Sequence, residues 1–386
     1  MIEDKTKTSA ETGRQAQLEA LRGRIDAADA QLVELLAKRH ALVQQVAAIK
    51  QACRLPAYHP AREEDLISER RQQARRAGLE PNLVEELYRC ILRHSRVRQT
   101  AHLAHEGVRP GAKVLLVGGG GKMGRYLGQW FSHSGYEVRV LETGDWPRAA
   151  ELCRGIHLAL VCVPIHLTVG VIEQLGPNLP ADCLLADITS IKKAPVDAML
   201  AAHGGPVMGL HPVFGPMTAT MDKQIVVATP GRAPEAAQWL LDQLAAWGNI
   251  VLLADPDEHD QIMGIIQALR HFATFAFGQF LCQKDINLAR ALEFSSPIYR
   301  LELGMVGRFF AQDADLYAEI IFASPERRAL LNQFMDSLAG LRALLASGDK
   351  DEFCAQFKRI AAWFGPFCEQ AMRESSFLIE RLVERF

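Results

Sequence analysis

Residues Val114 to Gly124 read Val-Leu-Leu-Val-Gly-Gly-Gly-Gly-Lys-Met-Gly, a short apolar run entering a G-x-G-x-x-G turn at Gly119, Gly121 and Gly124. In such a loop Gly119 permits the tight turn and Gly121 lets the backbone approach a pyrophosphate. Gly124 lets helix and strand pack closely, so that phosphates meet the helix N-terminus. A second run, Tyr136–Leu141, ends at Glu142, close to the distance at which an acid binds a ribose diol. That carboxylate repels a 2′-phosphate and no basic residue follows it immediately, so the pattern favours NAD over NADP.

Three further segments fall at the ends of expected strands and would face the same cofactor: Val163-Pro164-Ile165-His166, Asp187-Ile-Thr-Ser190-Ile-Lys192 and Gly209-Leu-His211-Pro-Val-Phe-Gly215-Pro. Neutral His211 is of the right type to accept a proton. From spacing alone, a structural and a catalytic His211 stay equally open.

A different chemistry is written in the first fifty residues. Leu18, Leu21, Ile25, Ala28, Leu32, Leu35, Leu42, Val46 and Ile49 alternate three- and four-residue steps, and that rhythm places Arg39 on the apolar seam. A guanidinium there is unfavourable unless an anion meets it. Lys50, at about 100° per residue, returns to within roughly 20° of Arg39, so the two can share one anionic ligand. Arg22 points about 100° away, so a role for it requires reaching into the site of a partner subunit.

The elements that must hold these residues fall into three regions. One long helix from about Glu11 to Gln51, ended by Pro56 and Pro60, precedes helical patterns at Arg62–Ala77 and Pro81–His105. Gly107, Pro110 and Gly111 look like a linker. From Lys113 a βαβ series begins, with strands expected at Val114–Val117, Val138–Leu141, Leu158–Val163, Leu184–Ile188, Val207–Leu210, Ile225–Ala228 and Ile250–Leu253. It implies a largely parallel sheet covered on both faces, with ligands at the carboxyl ends of the strands. After Asp255, an N-cap followed by Pro256, the pattern stays helical, and Ser324-Pro325-Glu326 starts another helix the same way. Phe272, Phe275, Phe277 and Phe280 suit an intersubunit core.

Composition bounds the alternatives. The chain has 386 residues, is 49 % hydrophobic and carries a formal charge of -2, which offers no broad basic field for nucleic acid or anionic lipid. Eight cysteines lie without C-x-x-C pairing or metal-ligand spacing, and they read as reduced thiols with no metal site. A polar start and the absence of a long apolar segment predict a cytoplasmic protein.

The strand-end segments, with Gln267-Ala-Leu-Arg-His271-Phe and Ser296-Pro-Ile-Tyr-Arg300 to Arg308 later in the chain, closely resemble the prephenate dehydrogenases over nearly everything after Lys113. The resemblance implies oxidation of prephenate by NAD with loss of carbon dioxide. It makes His211 the proton acceptor, Ser190 the hydroxyl that orients it and Arg308 the ligand of the ring carboxylate. Arg300 and His271 are further substrate candidates, and Met123, Pro164 and His203 join the cofactor set.

Between Gln15 and Thr100 the chain resembles the all-helical chorismate mutases through Leu21-Arg22, Leu36-Ala-Lys-Arg39, Lys50, Arg62-Glu63, Ser95 and Gln99. By that match Arg22 and Arg39 hold carboxylates, Lys50 and Gln99 meet the ether oxygen, and Arg62, Glu63 and Ser95 fix the remaining groups. His59 stands where other mutases of this fold carry Asp.

The joint expectation is a fused enzyme of tyrosine biosynthesis that takes chorismate through prephenate to 4-hydroxyphenylpyruvate. It would work as a homodimer, under feedback by tyrosine. Its parts are a three-helix mutase module (1–106), an α/β Rossmann-like NAD domain (107–255) and an all-α dimerisation and substrate-binding domain (256–386). One alternative keeps the dehydrogenase and makes the first helices a non-catalytic dimerisation or regulatory module. Another is a generic hydroxyacid dehydrogenase in which His211 is structural.

Overall fold

The computed structural model describes residues 3–52, 60–103, 107–218 and 220–383, with side chains over 15–50, 61–98, 107–218 and 220–383. His59, Pro56 and the side chain of Gln99 lie outside the described residues.

The chain opens with α1 (Glu3–Ala52), α2 (Pro60–Arg76) and α3 (Pro81–Leu103). Pro60 does not end α1 but opens α2, where the missing N–H costs nothing. Contacts run from α2 to α3 and from α1 to α3, and among the described residues Ala47, Ile67 and Ala74 are the apolar side chains buried there.

Seven strands follow: β1 (Lys113–Val117), β2 (Glu137–Leu141), β3 (Leu158–Val161), β4 (Leu184–Asp187), β5 (Val207–Pro212), β6 (Ile225–Pro230) and β7 (Ile250–Leu253). They form one sheet in the order β2-β1-β3-β4-β5-β6-β7, parallel except for β5 against β6. Consecutive residues of β1 serve opposite faces. Val114 and Leu116 join a core with Leu127 and Phe131 of α4 (Lys122–His133). Leu115 and Val117 join a second core with Ile172 of α6 (Ile165–Leu175) and Met199 of α7 (Lys193–Ala202), α5 being the short Ala149–Leu152 between. That double burial is why the strands read as continuous apolar runs. Chain order reverses between β1 and β3, which opens a crevice at their carboxyl ends.

The stretch Gly107–Ala112 is packed rather than slack. The amide of Val108 donates to Gln243 Oε1 at 2.8 Å, and a Cβ at Gly107 would sit 2.8 Å from the Ser134 carbonyl oxygen. Gln243 belongs to α8 (Gln238–Ala246).

All remaining described elements are helices: α9 (Pro256–Met263), a π segment (Gly264–Leu269), α10 (Arg270–Gln283), α11 (Leu288–Glu293), α12 (Pro297–Phe310), α13 (Ala314–Phe322), α14 (Pro325–Ser347), α15 (Lys350–Phe364) and α16 (Phe367–Val383). Asp255 caps α9 through the Asp257 amide at 2.8 Å, and Ser324 caps α14 through Arg327 at 3.2 Å, as their Ser/Asp-Pro starts require. Among the described residues no helix is long and apolar enough to cross a membrane.

Candidate active sites

In the glycine loop the left-handed position is Gly118, with φ +75°, not Gly119. Gly119 is instead demanded by packing, since a Cβ there would lie 2.9 Å from Val140 Cγ1. A Cβ on Gly124 would meet Gly119 Cα at 2.7 Å, so helix and loop touch as the motif requires. Gly121 precedes α4 with no side-chain cap, which leaves the first amides of the helix for an anion. Met123 is half-buried against the core below the loop.

The Glu142 carboxylate accepts from the Gly120 amide at 2.5 Å, and Asp145 Oδ2 accepts from the Glu142 amide at 3.0 Å. Two acids at this edge suit a ribose diol and repel a 2′-phosphate, and the glycines leave room for a pyrophosphate. These residues fit NAD. Pro164 begins α6 across the crevice, where a Cβ on Gly118 would lie 2.7 Å from Val163.

His203 is not part of this crevice. It follows α7 and precedes β5, at the amino edge of the sheet, where its Nε2 lies 2.7 Å from the Cys183 carbonyl oxygen. The expectation that it lies beside the cofactor fails because the strands run the other way.

His211 is next to last in β5 and is 2 % exposed. Its Nδ1 lies 2.8 Å from His259 Nε2, and His259 Nδ1 lies 2.8 Å from Asp260 Oδ1. Asp260 in turn accepts from the amides of Lys192 (2.8 Å) and Lys193 (3.0 Å). Burial alone would raise the Asp260 carboxyl, but the hydrogen bonds from His259 and those two amides outweigh it and lower its pKa. An ionised Asp260 accepts a hydrogen bond from His259 Nδ1–H, so His259 Nε2 is the atom that accepts from His211 Nδ1–H. The Nε2 of His211 is left as the acceptor, with the Gln267 amide nitrogen at 3.2 Å.

Burial, then the charges of His259, Lys192 and Arg327, hold the His211 pKa well below 6.5. The ring of His211 is hydrogen-bonded to His259, where the expectation was Ser190. Among the described residues the Ser190 hydroxyl makes no hydrogen bond to His211, while the Ser190 carbonyl accepts from Arg327 at 3.1 Å. Lys192, fully buried, donates from Nζ to Asp187 Oδ2 (2.5 Å) and to the carbonyl of Leu210 (2.7 Å), which braces the strand end that carries His211.

From the helical region, Glu319 accepts from the Ile165 amide at 2.9 Å and pairs with His166, capping α6. Arg327 is buried and donates to the carbonyls of Ile320 (2.7 Å) and Ser190, and burial lowers its pKa. His271 is buried against Phe309 and Tyr317, and burial pushes its pKa down to about 4. Arg308 is exposed on α12. Arg300 donates to the Leu292 carbonyl at 2.6 Å.

On the first three helices, Arg39 donates from its guanidinium to Ser95 Oγ at 2.8 Å. Lys50 is depressed by burial, with Glu63 opposing that shift. Glu63 is bound by Arg96 through both carboxylate oxygens at 2.7 and 2.5 Å. Arg39, Lys50, Glu63 and Ser95 thus form one neighbourhood, and Arg62 beside Glu63 is exposed. Arg22, on the same continuous helix, stands about 25 Å along the axis from Arg39 and does not join it. A cavity of about 700 Å³ is lined by Leu36, Arg39 and Ser95 and, from the segment before β6, by Thr220, Asp222 and Gln224.

Sequence reading missed Arg96, Asp222, His259, Asp260 and Arg327. Adjacency to Ser95 was the one available signal for Arg96. His259 and Asp260 stood in what read only as a helix start.

Comparison with known proteins bears on both halves. Residues 21–100 match the family model described as chorismate mutase type II. Residues 137–252 match the prephenate dehydrogenase nucleotide-binding domain, and 255–359 the prephenate dehydrogenase dimerization domain. The chain is 46 % identical over 368 residues to the T-protein of Enterobacter agglomerans, covering 94 % of this chain and 97 % of that one. It is 41 % identical over 364 residues to the T-protein of Haemophilus influenzae, with the same coverage.

In fold it is similar to a prephenate dehydrogenase from A. aeolicus solved with hydroxyphenyl propionate and NAD+, at a TM-score of 0.54 and 17 % identity. That match covers 66 % of this chain and 97 % of that one. With two helical and nucleotide-binding halves matched over nearly its whole length, the chain belongs to the T-protein family, the bifunctional chorismate mutases and NAD-dependent prephenate dehydrogenases of tyrosine biosynthesis.

Proposed function

We propose that His211 is the general base of the dehydrogenase and that Arg39, Lys50, Glu63 and Ser95 make up the mutase site, with Gln99 and a partner's Arg22 completing it. The observation that carries the first assignment is the ordered chain Asp260–His259–His211, which leaves Nε2 of a neutral His211 as the acceptor. Bound NAD supplies the hydride acceptor for the ring carbon that bears the 4-hydroxyl. His211 takes the hydroxyl proton as carbon dioxide leaves and the ring becomes aromatic.

In this reading Gln267, whose amide nitrogen lies 3.2 Å from His211 Nε2, cedes that ring nitrogen to the substrate hydroxyl, Arg308 meets the ring carboxylate, and Ser190, Arg300 and His271 border the substrate. The cofactor contacts are Gly119, Gly121, Gly124, Met123, Glu142 and Pro164. His203 drops out of that set because it stands at the opposite edge of the sheet.

The mutase reaction forms no bond to protein. It needs a dianion held in a compact conformer and cations near the ether oxygen, which grows negative in the transition state. Arg39 and Lys50, with Ser95 hydrogen-bonded to Arg39, have that character. The division at 106/107 and 255/256 follows the change from helices to sheet and back.

A homodimer is part of this proposal. In a single chain the seam residues Leu21, Ile25, Leu32, Leu35, Leu42 and Ile49 are each at least half exposed. The far end is similar: Leu345 and Trp363 are about 80 % exposed. A second copy would cover both faces and carry Arg22 to the opposite Arg39. Tyrosine as feedback inhibitor and a cytoplasmic location complete the reading. The test is turnover of chorismate with NAD: 4-hydroxyphenylpyruvate and NADH should form together, much more slowly with NADP. Prephenate accumulating with no NADH would exclude the second half.

A further inference from the structure

Arg96 is 6 % exposed and sits where α3 faces the sheet domain. It holds two carboxylates. Its terminal nitrogen binds both oxygens of Glu63 on α2, and its Nε donates to Asp222 at 3.2 and 3.1 Å. All three side chains are at least 85 % buried, Glu63 at 15 % exposure being the most open. Glu63 faces Lys50, and Lys223 Nζ is 4.0 Å from Glu63 Oε2, so the carboxylate lies inside a wider field of cations.

The Asp222 end of this bridge is rigid. The turn Met221–Gln224 closes through the Gln224 amide to the Met221 carbonyl (3.1 Å) and the Lys223 amide to the Gly248 carbonyl (2.8 Å). The Asn249 side chain donates to the carbonyls of Met221 (3.3 Å) and Gln224 (3.2 Å). Lys223 is held at φ +58°, which a residue with a Cβ adopts only when its surroundings fix it. A Cβ on Gly248 would lie 3.1 Å from Asp222 Cα, so any larger residue there pushes the turn. The same turn lines the cavity that contains Arg39 and Ser95.

We infer that the dehydrogenase domain supplies part of the mutase site: Asp222, through Arg96, is a positioning residue that fixes the Glu63 carboxylate beside Lys50. This rests on the proposed role of Arg39, Lys50, Glu63 and Ser95 in holding chorismate. A lone Arg96 pairing would let the Glu63 side chain swing with the guanidinium. Two carboxylates on opposite sides of one planar cation define its orientation, and one of them is bolted to the sheet. The mutase activity therefore depends on a residue that no mutase module by itself contains.

The test uses the full-length chain, with mutase turnover followed by loss of chorismate and dehydrogenase turnover by NADH from added prephenate. Asp222→Asn should lower mutase kcat roughly tenfold, within the range of coupling in shared networks, while the dehydrogenase rate stays at the parent value. Asp222→Glu should recover most of the loss, and Asp222→Asn should add nothing in an Arg96→Met background. Parent mutase kcat in Asp222→Asn, or an undiminished further loss in the Arg96→Met background, overturns the inference. Should Arg96→Met fail to accumulate, the Asn and Glu variants decide: loss with Asn and recovery with Glu supports it, and equal rates in both contradict it. Arg39→Ala measured alongside separates the two levels. Full activity there removes the underlying site assignment, whereas loss there with none in Asp222→Asn removes only the bridge.

Discussion

The Nδ1 of His211 lies 2.8 Å from the Nε2 of His259, so the imidazole at the end of β5 is oriented by a residue from α9, across the boundary between sheet and helices. The proposed proton acceptor thus stands on one element and the control of its tautomer on another.

Replacing His211 by Asn should lower the dehydrogenase kcat by about 10²–10⁴-fold, the range of a lost general base. Mutase turnover should be unchanged, because His211 is not among the residues that line the cavity at Arg39 and Ser95. His259→Gln should act through the same base and cost less, with the loss in kcat rather than KM. Steady-state kinetics with prephenate check both, and a larger loss from His259→Gln than from His211→Asn would contradict the order.

The pH dependence follows from burial. The folded-state pKa of His211 is depressed well below 6.5, so the imidazole stays neutral as pH falls through 6.5 and becomes protonated only further down. Dehydrogenase kcat/KM should hold from pH 8 through 6.5 and fall on an acid limb below it. A limb centred at 6.5 or higher would contradict the buried base.

The same sign governs stability. His271, pushed down to about 4, and His211 both bind fewer protons folded than unfolded below pH 6.5. Stability should therefore be fully present above about 6.5 and be lost progressively as pH falls toward 4. Urea midpoints across that window test this, and His271→Phe should flatten the slope.

Arg22 and Arg39 lie on one continuous helix, about 25 Å apart along its axis. If each site takes Arg39 from one chain and Arg22 from the other, Arg22→Ala and Arg39→Ala proteins should each lack mutase activity. Mixed and re-equilibrated, they should regain it, with roughly one site in four intact after random pairing of a two-fold dimer. No recovery on mixing would place Arg22 outside the site.

Much of this was legible in the sequence because local pattern and tertiary role coincide. The seven strands follow from double burial, the starts of α9 and α14 from Ser or Asp before Pro, and the nucleotide loop from Gly121 and Gly124. His211 stood out at a strand end. What escaped were relationships across the chain.

Asp222 lies 126 positions from Arg96, and neither has a local signature. The π segment that carries Gln267 has the composition of ordinary helix. The resemblance implies a cofactor role for His203, but the residue follows α7 and bonds the Cys183 carbonyl at the amino edge of the sheet, a placement that only the strand direction reveals. Gly118 rather than Gly119 takes the positive φ because four consecutive glycines leave the register of the turn open.

On the proposed assignment, two separate sites on this chain act in series. A single coupled assay separates them: chorismate with NAD, given to the parent, Arg39→Ala and His211→Asn proteins, with chorismate, prephenate and NADH followed together. The parent should deliver NADH. Arg39→Ala should give NADH from added prephenate but almost none from chorismate, and His211→Asn should convert chorismate to prephenate that accumulates. NADH formed from chorismate at the parent rate by Arg39→Ala, or both activities lost together in either variant, would contradict it.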